Sequence, residues 1–305
     1  MEVETATRQN RDIESFILSS GELEIDFLFG VSEYAHYIED LRLLSMGLGF
    51  QELGISERRA ACRPRMLVEW AGTYRFADES TISDESKTAN GSIALLQLRG
   101  VMRADSGLSS PGIDSLITSL RDAYANENIA GVIIESTSGG GESMAGNKLA
   151  NAIGERNKPV VLLGHLAASA AYRVGAAADE IIAAGDAAEF GSIGTMVTLD
   201  SQILNTYRER FQDFYGAAAP RKNGEHRQAI AGDFSGIQEL VTRKTVAFQQ
   251  EIARARPLRG NEARIAETLN GSVYDALEAK SRGLVDMIGN MQTAVKRIQA
   301  LRGKY

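Results

Sequence analysis

The chain reads Lys158-Pro-Val-Val-Leu-Leu-Gly-His-Leu-Ala-Ala-Ser-Ala-Ala-Tyr172 at its most informative point. The apolar run is typical of a buried strand, and the small residues that follow predict a turn into a helix. This pattern presents one hydroxyl, that of Ser169, at the start of the helix. Nucleophiles are displayed in this way, so Ser169 is the first candidate for chemistry.

A glycine-rich turn follows another apolar strand. Gly131-Val-Ile-Ile-Glu135 is typical of a buried strand, and Gly139-Gly140-Gly141 comes shortly after it. Such a turn can direct backbone N–H groups at the negative charge that develops on an oxygen during acyl transfer. Together with the hydroxyl of Ser169, it predicts acyl transfer, with peptide hydrolysis as the expected reaction.

The composition limits the class of protein. With 305 residues, 44% of them hydrophobic, the chain can bury a sizeable core. A formal net charge of −7 argues against nucleic acid as the main partner. The single cysteine, Cys62, excludes an internal disulfide framework and leaves little scope for a thiolate zinc site. We therefore expect no metal, no other cofactor and no nucleic-acid partner.

The first 50 residues carry no pattern of a secreted or membrane protein. Residues 1–12 lack the basic start and apolar segment of a secretory signal. The apolar runs over residues 16–30 and 41–50 are interrupted by charged or polar residues, so neither supplies the roughly 20 apolar residues of a membrane span. We expect a cytoplasmic protein with no membrane partner.

A polar, acidic stretch from Ala77 to Gly91 predicts a linker. We therefore expect an N-terminal extension and linker over residues 1–90, a catalytic domain over residues 91–290 and a C-terminal helix over residues 291–305. Apolar residues at helical spacing between Ser32 and Leu48 predict an amphipathic helix in the extension.

Beyond the linker, apolar strands alternate with helical patterns, which predicts an α/β fold with a largely parallel sheet. The expected strands cover residues 92–98, 131–135, the segment from 159, 180–184 and 195–199, with a strand-like stretch at 211–217. The expected helices cover residues 113–125, 143–155, the segment from 169, 234–254, 262–269 and 291–301, with a strand-helix unit at 272–282.

A serine hydroxyl needs a nearby base at neutral pH, and the three histidines are the first candidates. His36 lies in the expected N-terminal helix, and His226 lies in an expected polar loop. His165 precedes Ser169 by four residues and could take part, but a hydrogen-bonded structural imidazole is the alternative.

A lysine is the other candidate base. It works only where a desolvated site or a neighbouring positive charge lowers the lysine pKa from about 10.4 towards neutrality. Lys222 lies in a loop that is long enough to fold over a site, but a solvated loop lysine is the alternative. The residues alone leave the base open.

Four motifs, in order along the chain, resemble those of the signal peptide peptidase A (SppA) family. Ile134–Glu142 is similar to its Asp-Ser-Pro-Gly-Gly turn, and Lys158–Tyr172 with Ala178-Asp-Glu-Ile181 is similar to its nucleophile segment. Phe190-Gly-Ser-Ile-Gly-Thr195 is similar to its Gly-Ser-Ile-Gly turn, and Gly271–Asp286 is similar to its C-terminal signature. The resemblance covers roughly residues 92 to 290.

The resemblance implies a Clp-protease/crotonase-like fold and a Ser-Lys dyad. Carried onto this chain, Ser169 is the nucleophile and Lys222 is the general base. The oxyanion donors are the N–H of Gly140 or Gly141 and that of Ala170.

Two departures from the family pattern leave these donors in place. Glycine replaces the usual proline at position 139, and Ala170 and Ala171 stand where glycines are common. Alanine keeps its backbone N–H, and an additional glycine loosens the turn without removing a donor. The turn from Gly191 to Gly194 contains no histidine, in contrast to the Clp protease, which favours a dyad over a triad.

The absence of an N-terminal membrane anchor pattern favours the soluble relatives from tailed phages, which act as prohead (capsid maturation) proteases. This resemblance implies a homo-oligomer that cleaves scaffold or capsid protein in the host cytoplasm or inside the procapsid. A housekeeping cytoplasmic SppA-like peptidase and a catalytically silent oligomeric assembly factor are the alternatives. An acyl-CoA enzyme of the crotonase type would explain the glycine turn but not Ser169.

Overall fold

The structure is a computed structural model that describes residues 23–25, 65–70, 73–76, 82–104, 112–199 and 201–305. Within these ranges the strands are β1 (Leu23–Ile25), β2 (Arg65–Trp70), β3 (Thr73–Phe76), β4 (Ser92–Arg99), β5 (Ile129–Ser138), β6 (Gly140–Glu142), β7 (Val160–Ala168), β8 (Glu180–Ala183), β9 (Glu189–Gly191), β10 (Val273–Asp275) and β11 (Met287–Ile288). The helices are α1 (Ile113–Ala125), α2 (Ser143–Gly154), α3 (Ala170–Ala177), α4 (Ser201–Arg210), α5 (Gly224–Ile230), α6 (Ser235–Ala255), α7 (Glu262–Thr268), α8 (Ala276–Arg282) and α9 (Met291–Leu301).

The described strands form one large sheet and one small one. The large sheet has the order β10-β9-β7-β5-β4-β2-β3, with β8 paired to β7 and β11 paired to β8. Its centre is parallel, because β4, β5, β7, β8 and β9 all run in one direction. The small sheet consists of β1 and β6. The expected α/β class with a parallel sheet and flanking helices is confirmed.

Helices cover both faces of the sheet because successive side chains of a strand point to opposite sides. Leu96 of β4 belongs to the apolar cluster that includes residues of α1, α2, α3 and α6. Its neighbour Leu95 belongs to a second cluster, on the other face, with Ile298 of α9. Each fully buried leucine or isoleucine of these clusters contributes about 2 kcal/mol of transfer free energy. The central strands are therefore apolar on both faces, as a parallel sheet requires.

Most of the expected elements beyond residue 91 form, and two expected strands do not. Residues 195–199 are not a strand, because the N–H of Thr195 donates to the side chain of Thr245 and no ladder of strand bonds continues along the segment in the described chain. Residues 211–217 are also irregular; Phe211 and Phe214 are exposed, and an apolar stretch without a strand partner does not form a strand. Helix α4 was not expected, and His226 lies in α5 rather than in a polar loop.

The sheet extends to strands that precede the expected boundary near residue 90. β2 pairs antiparallel with β4, and β3 continues the same sheet. Residues 82–91 lie against the domain, since the side chain of Asn126 donates a hydrogen bond of 2.8 Å to the carbonyl of Ile82. The helix expected between Ser32 and Leu48 lies outside the described residues.

The segment after residue 290 is a helix, as expected, and it packs on the sheet. The side chain of Asn290 accepts from the N–H of Thr293, and the Thr293 hydroxyl accepts in return from the Asn290 N–H, which fixes the start of α9. Among the described helices, none combines the length and the apolarity that a membrane crossing requires.

Candidate active site

Three segments that carried the sequence motifs meet at one edge of the sheet. β5, β7 and β9 are parallel neighbours, with Ser138 opposite Ala167 and Ala168 opposite Gly191. Because the carboxyl ends of parallel strands lie at the same edge, the turns that follow these strands are adjacent. The structure therefore brings together the glycine turn at residues 139–141, Ser169 and the turn that starts at Gly191.

Ser169 joins β7 to α3 in a backbone conformation that few residues adopt. Its φ is 54° and its ψ is −122°, and such a conformation in a residue other than glycine costs about 1–3 kcal/mol. Two hydrogen bonds hold it: the Ser169 N–H donates to the Gly191 carbonyl at 2.8 Å, and the Ser169 carbonyl accepts from the N–H of Arg173 at 3.1 Å. The strained turn fixes the hydroxyl at the start of the helix.

The hydroxyl of Ser169 is buried and unpaired. The residue is 1% exposed, and its Oγ has no hydrogen-bond partner among the described residues. An unsatisfied buried polar group costs about 1–3 kcal/mol, so its presence in a native structure needs an explanation, and a catalytic role is one. The N–H of Ala170 is next to it. As the first residue of α3, Ala170 has no acceptor for this N–H within the helix.

The hydrogen bonds of the glycine turn distinguish between its two candidate oxyanion donors, the N–H groups of Gly140 and Gly141. The N–H of Gly140 already donates to the Ser138 hydroxyl at 3.2 Å. The carbonyl of Gly140 accepts from the Met102 N–H, and the N–H of Glu142 donates to the Met102 carbonyl, both at 2.8 Å. Since backbone groups alternate in direction along a strand, the N–H and C=O of Gly141 point away from Met102. Gly141 is therefore the better placed of the two donors.

Only glycine fits at position 141. Its φ is +152°, and a Cβ built there would lie 2.2 Å from the carbonyl oxygen of Met102. The close approach of the Met102 segment to β6 depends on this absence of a side chain.

Arg173 is a buried cation one turn after Ser169 that we did not predict. It is 4% exposed, its Nε donates to Glu251 at 3.1 Å, and its guanidinium lies 3.9 Å from the ring centroid of Phe248. These contacts connect α3 to α6. One signal was present in the sequence: Arg173 is the only charged residue in the small-residue helix Ala170–Ala177.

Neither of the two described histidines, nor Tyr172, is bonded to the hydroxyl of Ser169. His165 is exposed at a register shift between β5 and β7, and its Nε2 lies 3.5 Å from Glu135. His226 packs edge-on against the ring of Tyr207, and His36 lies outside the described residues. Burial raises the pKa of the Tyr172 hydroxyl, which donates to the Leu284 carbonyl at 2.8 Å. Tyr172 therefore stays protonated.

Lys222 is not bonded to Ser169 within one copy of the chain. It is exposed in the turn before α5, where its backbone N–H donates to the Ala219 carbonyl at 3.2 Å. Its assignment as the base stays a prediction. In the described part of the chain, no group of three or more histidine, cysteine, aspartate or glutamate residues is arranged to hold a metal ion.

The chain is similar in sequence to proteins named as proteases. It is 29% identical over 198 residues to a protein from Methanocaldococcus jannaschii named as a protease, a match of 61% of this chain and 60% of that protein. It is 26% identical over 227 residues to a protein from Enterococcus faecium named as a signal peptide peptidase SppA, a match of 70% of this chain and 65% of that protein. The chloroplastic serine protease SPPA of Arabidopsis thaliana is 25% identical over 222 residues, a match of 67% of this chain and 31% of that protein. No protein-family model matches the chain.

The chain also matches solved structures in part. A ClpP1 mutant from Listeria monocytogenes has a TM-score of 0.42 and 15% identity, and the match covers 66% of this chain and 94% of that one. An enoyl-CoA hydratase from Shewanella pealeana has a TM-score of 0.42 and 15% identity, and the match covers 72% of this chain and 73% of that one.

The sequence matches cover only part of each relative. The chain spans less than two thirds of the length of the curated relatives described above. Each match covers most of this chain, and each of the three relatives is named as a protease or a peptidase.

Proposed function

We propose that the chain is a serine endopeptidase in which Ser169 is the nucleophile and Lys222 is the general base. The observation that carries this proposal is the buried, unpaired hydroxyl of Ser169 beside the glycine turn at residues 139–141. The similarity to proteins named as proteases supports it independently.

In the proposed reaction, Oγ of Ser169 attacks the carbonyl carbon of a substrate peptide bond while the amine of Lys222 takes the hydroxyl proton. The carbonyl oxygen gains a negative charge, and the N–H groups of Gly141 and Ala170 donate hydrogen bonds to it. The C–N bond then breaks, and the leaving amine takes the proton from the lysine. A water molecule, activated by the amine of Lys222, hydrolyses the acyl-enzyme and regenerates Ser169.

The proposal requires a second copy of the chain. Lys222 is exposed, and the hydroxyl of Ser169 has no hydrogen-bond partner among the described residues of its own copy, so a second copy has to bring an amine to the hydroxyl before the proton can be transferred. Large apolar side chains between residues 199 and 234 are exposed, which is typical of protein interfaces; they are Leu199, Phe211, Phe214 and Phe234. We therefore propose a homo-oligomer in which this part of one copy closes over Ser169 of the next.

We propose scaffold or capsid protein as the substrate, in phage head assembly, with the host cytoplasm or the procapsid as the place of action. Lys222-Asn223 is similar to a Lys-Asn pair of phage-type members of the SppA family, which supports this role. Purified protein incubated with the capsid and scaffold proteins encoded beside its gene should produce defined fragments. Ser169→Ala and Lys222→Ala should each abolish these fragments. If only unrelated peptides are cut, the protein is a housekeeping peptidase instead.

A catalytically silent assembly factor is the second candidate. The observation that favours it is the 1% exposure of Ser169 without a bonded base. Head assembly in cells that carry Ser169→Ala distinguishes the two roles. A silent factor supports normal assembly without this hydroxyl, whereas a maturation protease does not.

A further inference from the structure

A segment of the chain itself lies along the glycine turn. β1, residues 23–25, pairs antiparallel with β6, with Leu23 opposite Glu142, Glu24 opposite Gly141 and Ile25 opposite Gly140. The two strands form a separate sheet and are far apart in the sequence. The pairing therefore belongs to the glycine turn and not to the large sheet.

The occupied edge is the one that presents the proposed oxyanion donor. The Met102 segment engages the carbonyl of Gly140 and the N–H of Glu142, so it takes one edge of β6. The other edge carries the N–H and C=O of Gly141, and Glu24 lies directly opposite them. In an antiparallel pair, two opposite residues whose N–H and C=O groups point at each other exchange both backbone hydrogen bonds. A peptide backbone thus covers the group that would receive the substrate carbonyl.

Extended peptides bind to exposed strand edges by the same backbone bonds. The edge of β6 is therefore suited to a substrate in extended conformation, and β1 is in the position of such a substrate. The burial of Ser169 is consistent with an occupied site, since a nucleophile that is 1% exposed is closed to an incoming peptide.

We propose that residues 23–25 are an internal competitor of the peptide substrate: they occupy the free edge of β6 and must leave before substrate can bind. The inference rests on the proposed peptidase function. A tethered segment acts at an effective concentration on the order of millimolar, so a pairing of only three residues can hold the site and still be displaced by a longer substrate.

Proline substitutions test whether residues 23–25 compete with substrate, because proline removes one backbone N–H and only the N–H of Glu24 faces Gly141. Glu24→Pro removes the N–H that faces Gly141, whereas Leu23→Pro changes the first residue of the strand, where proline is tolerated. Glu24→Ala keeps the backbone bonds and controls for the loss of the side chain. All three variants are made in the full chain, and circular dichroism with thermal unfolding checks that each is folded.

The kinetic measurement is the cleavage of a fluorogenic peptide. A competitor that occupies the site nine tenths of the time raises KM about tenfold, so Glu24→Pro should lower KM by up to that factor with kcat unchanged. Leu23→Pro and Glu24→Ala should keep the KM of the unsubstituted chain. An unchanged KM in Glu24→Pro, or an equal fall in all three variants, overturns the inference.

Amide hydrogen exchange at Gly141 tests the strand without any activity. In the Ser169→Ala background the Gly141 amide should exchange slowly, and adding Glu24→Pro should accelerate its exchange while Leu23→Pro does not. Equal exchange in the two proline variants contradicts the inference. If the exchange differs as expected but no variant cleaves any peptide, the proposed peptidase function fails and the occupied edge of β6 stands.

Discussion

At the scale of single residues, the proposed activity depends on Ser169. A strained backbone and an unpaired buried hydroxyl both cost free energy. The fold tolerates these costs at the one position where the carboxyl ends of β5, β7 and β9 meet. The stability of the protein should therefore improve when the hydroxyl is removed, although its proposed activity is lost.

Ser169→Ala should lower kcat by at least about 10³-fold. It should also raise the free energy of unfolding by about 1 kcal/mol, because a buried hydroxyl without a partner is removed. Thermal and urea unfolding measure the second effect. Ser136→Ala is the matched control: this serine is equally buried, but its hydroxyl donates to the Leu166 carbonyl at 2.8 Å, so its loss should destabilise the protein. Equal changes in both variants would contradict the account.

Gly141→Ala should remove activity and lower the free energy of unfolding by about 2 kcal/mol. The new Cβ would collide with the Met102 backbone at 2.2 Å and push β6 away from it. Gly154→Ala, at the end of α2 with nothing within 4 Å of the new Cβ, should leave both quantities nearly unchanged. Peptide cleavage and urea unfolding of the two variants provide the comparison.

Sequence patterns identified much of the site at this scale but not all of it. Ser169 and the glycine turn are local patterns, and the structure brings them together. The preference for Gly141 over Gly140 depends on hydrogen bonds to Ser138 and Met102, which are distant in sequence or depend on side-chain orientation. The site residues and the dyad with Lys222 remain predictions.

At the scale of elements, the position of Ser169 depends on the packing of α3 against α6. Arg173 connects the two helices through Glu251 and Phe248. The periodicity of α6 predicted the helix, but it gave no indication of this contact, because a buried arginine is recognisable only once its partners are known. The predicted strands at residues 195–199 and 211–217 do not form for a similar reason, because the apolar content of a segment does not show whether another strand is available to pair with it.

Arg173→Ala should lower the free energy of unfolding by about 2 kcal/mol, the cost of losing a desolvated cation–π contact and its packing. It should also reduce kcat, since α3 fixes the orientation of Ser169. Arg254→Ala, which changes an exposed arginine of α6, should affect neither quantity. Urea unfolding and peptide turnover of both variants measure the effects, and equal behaviour of the two would contradict this role for Arg173.

At the scale of the whole molecule, the proposed dyad makes activity a property of the assembly. If Lys222 of one copy serves Ser169 of the next, Ser169→Ala and Lys222→Ala chains should complement each other. Mixed after dissociation and reassembled in equal amounts, they should regain about a quarter of the original activity, because random cyclic assembly restores that share of sites. No recovery in mixed oligomers, as established by size and mass measurement, would favour a dyad within one copy.

The acid stability of the domain should depend on Asp179. Burial would raise the pKa of this carboxyl, but hydrogen bonds from Lys304, the Val160 N–H and Tyr305, together with the charge of Arg156, bring the pKa below its ordinary value of 3.8. The ionised form is thus favoured in the folded state. Its contribution is complete above the ordinary pKa and is lost as the pH falls through the lower folded value.

Asp179→Asn should therefore lower the free energy of unfolding by about 2 kcal/mol at neutral pH, and the difference from the unsubstituted chain should shrink as the pH falls through the ordinary value of 3.8 towards the lower folded value. Asp186→Asn changes an exposed carboxylate and serves as the control. Urea unfolding across this pH range measures both variants. A difference that is independent of pH would contradict the assigned role of the Asp179 charge.

The most direct test of the central claim is to locate the reactive serine by mass spectrometry after treatment with a fluorophosphonate probe. We expect a single adduct on Ser169 that is absent from Ser169→Ala, while Ser136, Ser138 and Ser192 stay unlabelled in both proteins. An adduct on another serine, or peptide cleavage that persists in Ser169→Ala, would contradict the claim that this hydroxyl is the nucleophile.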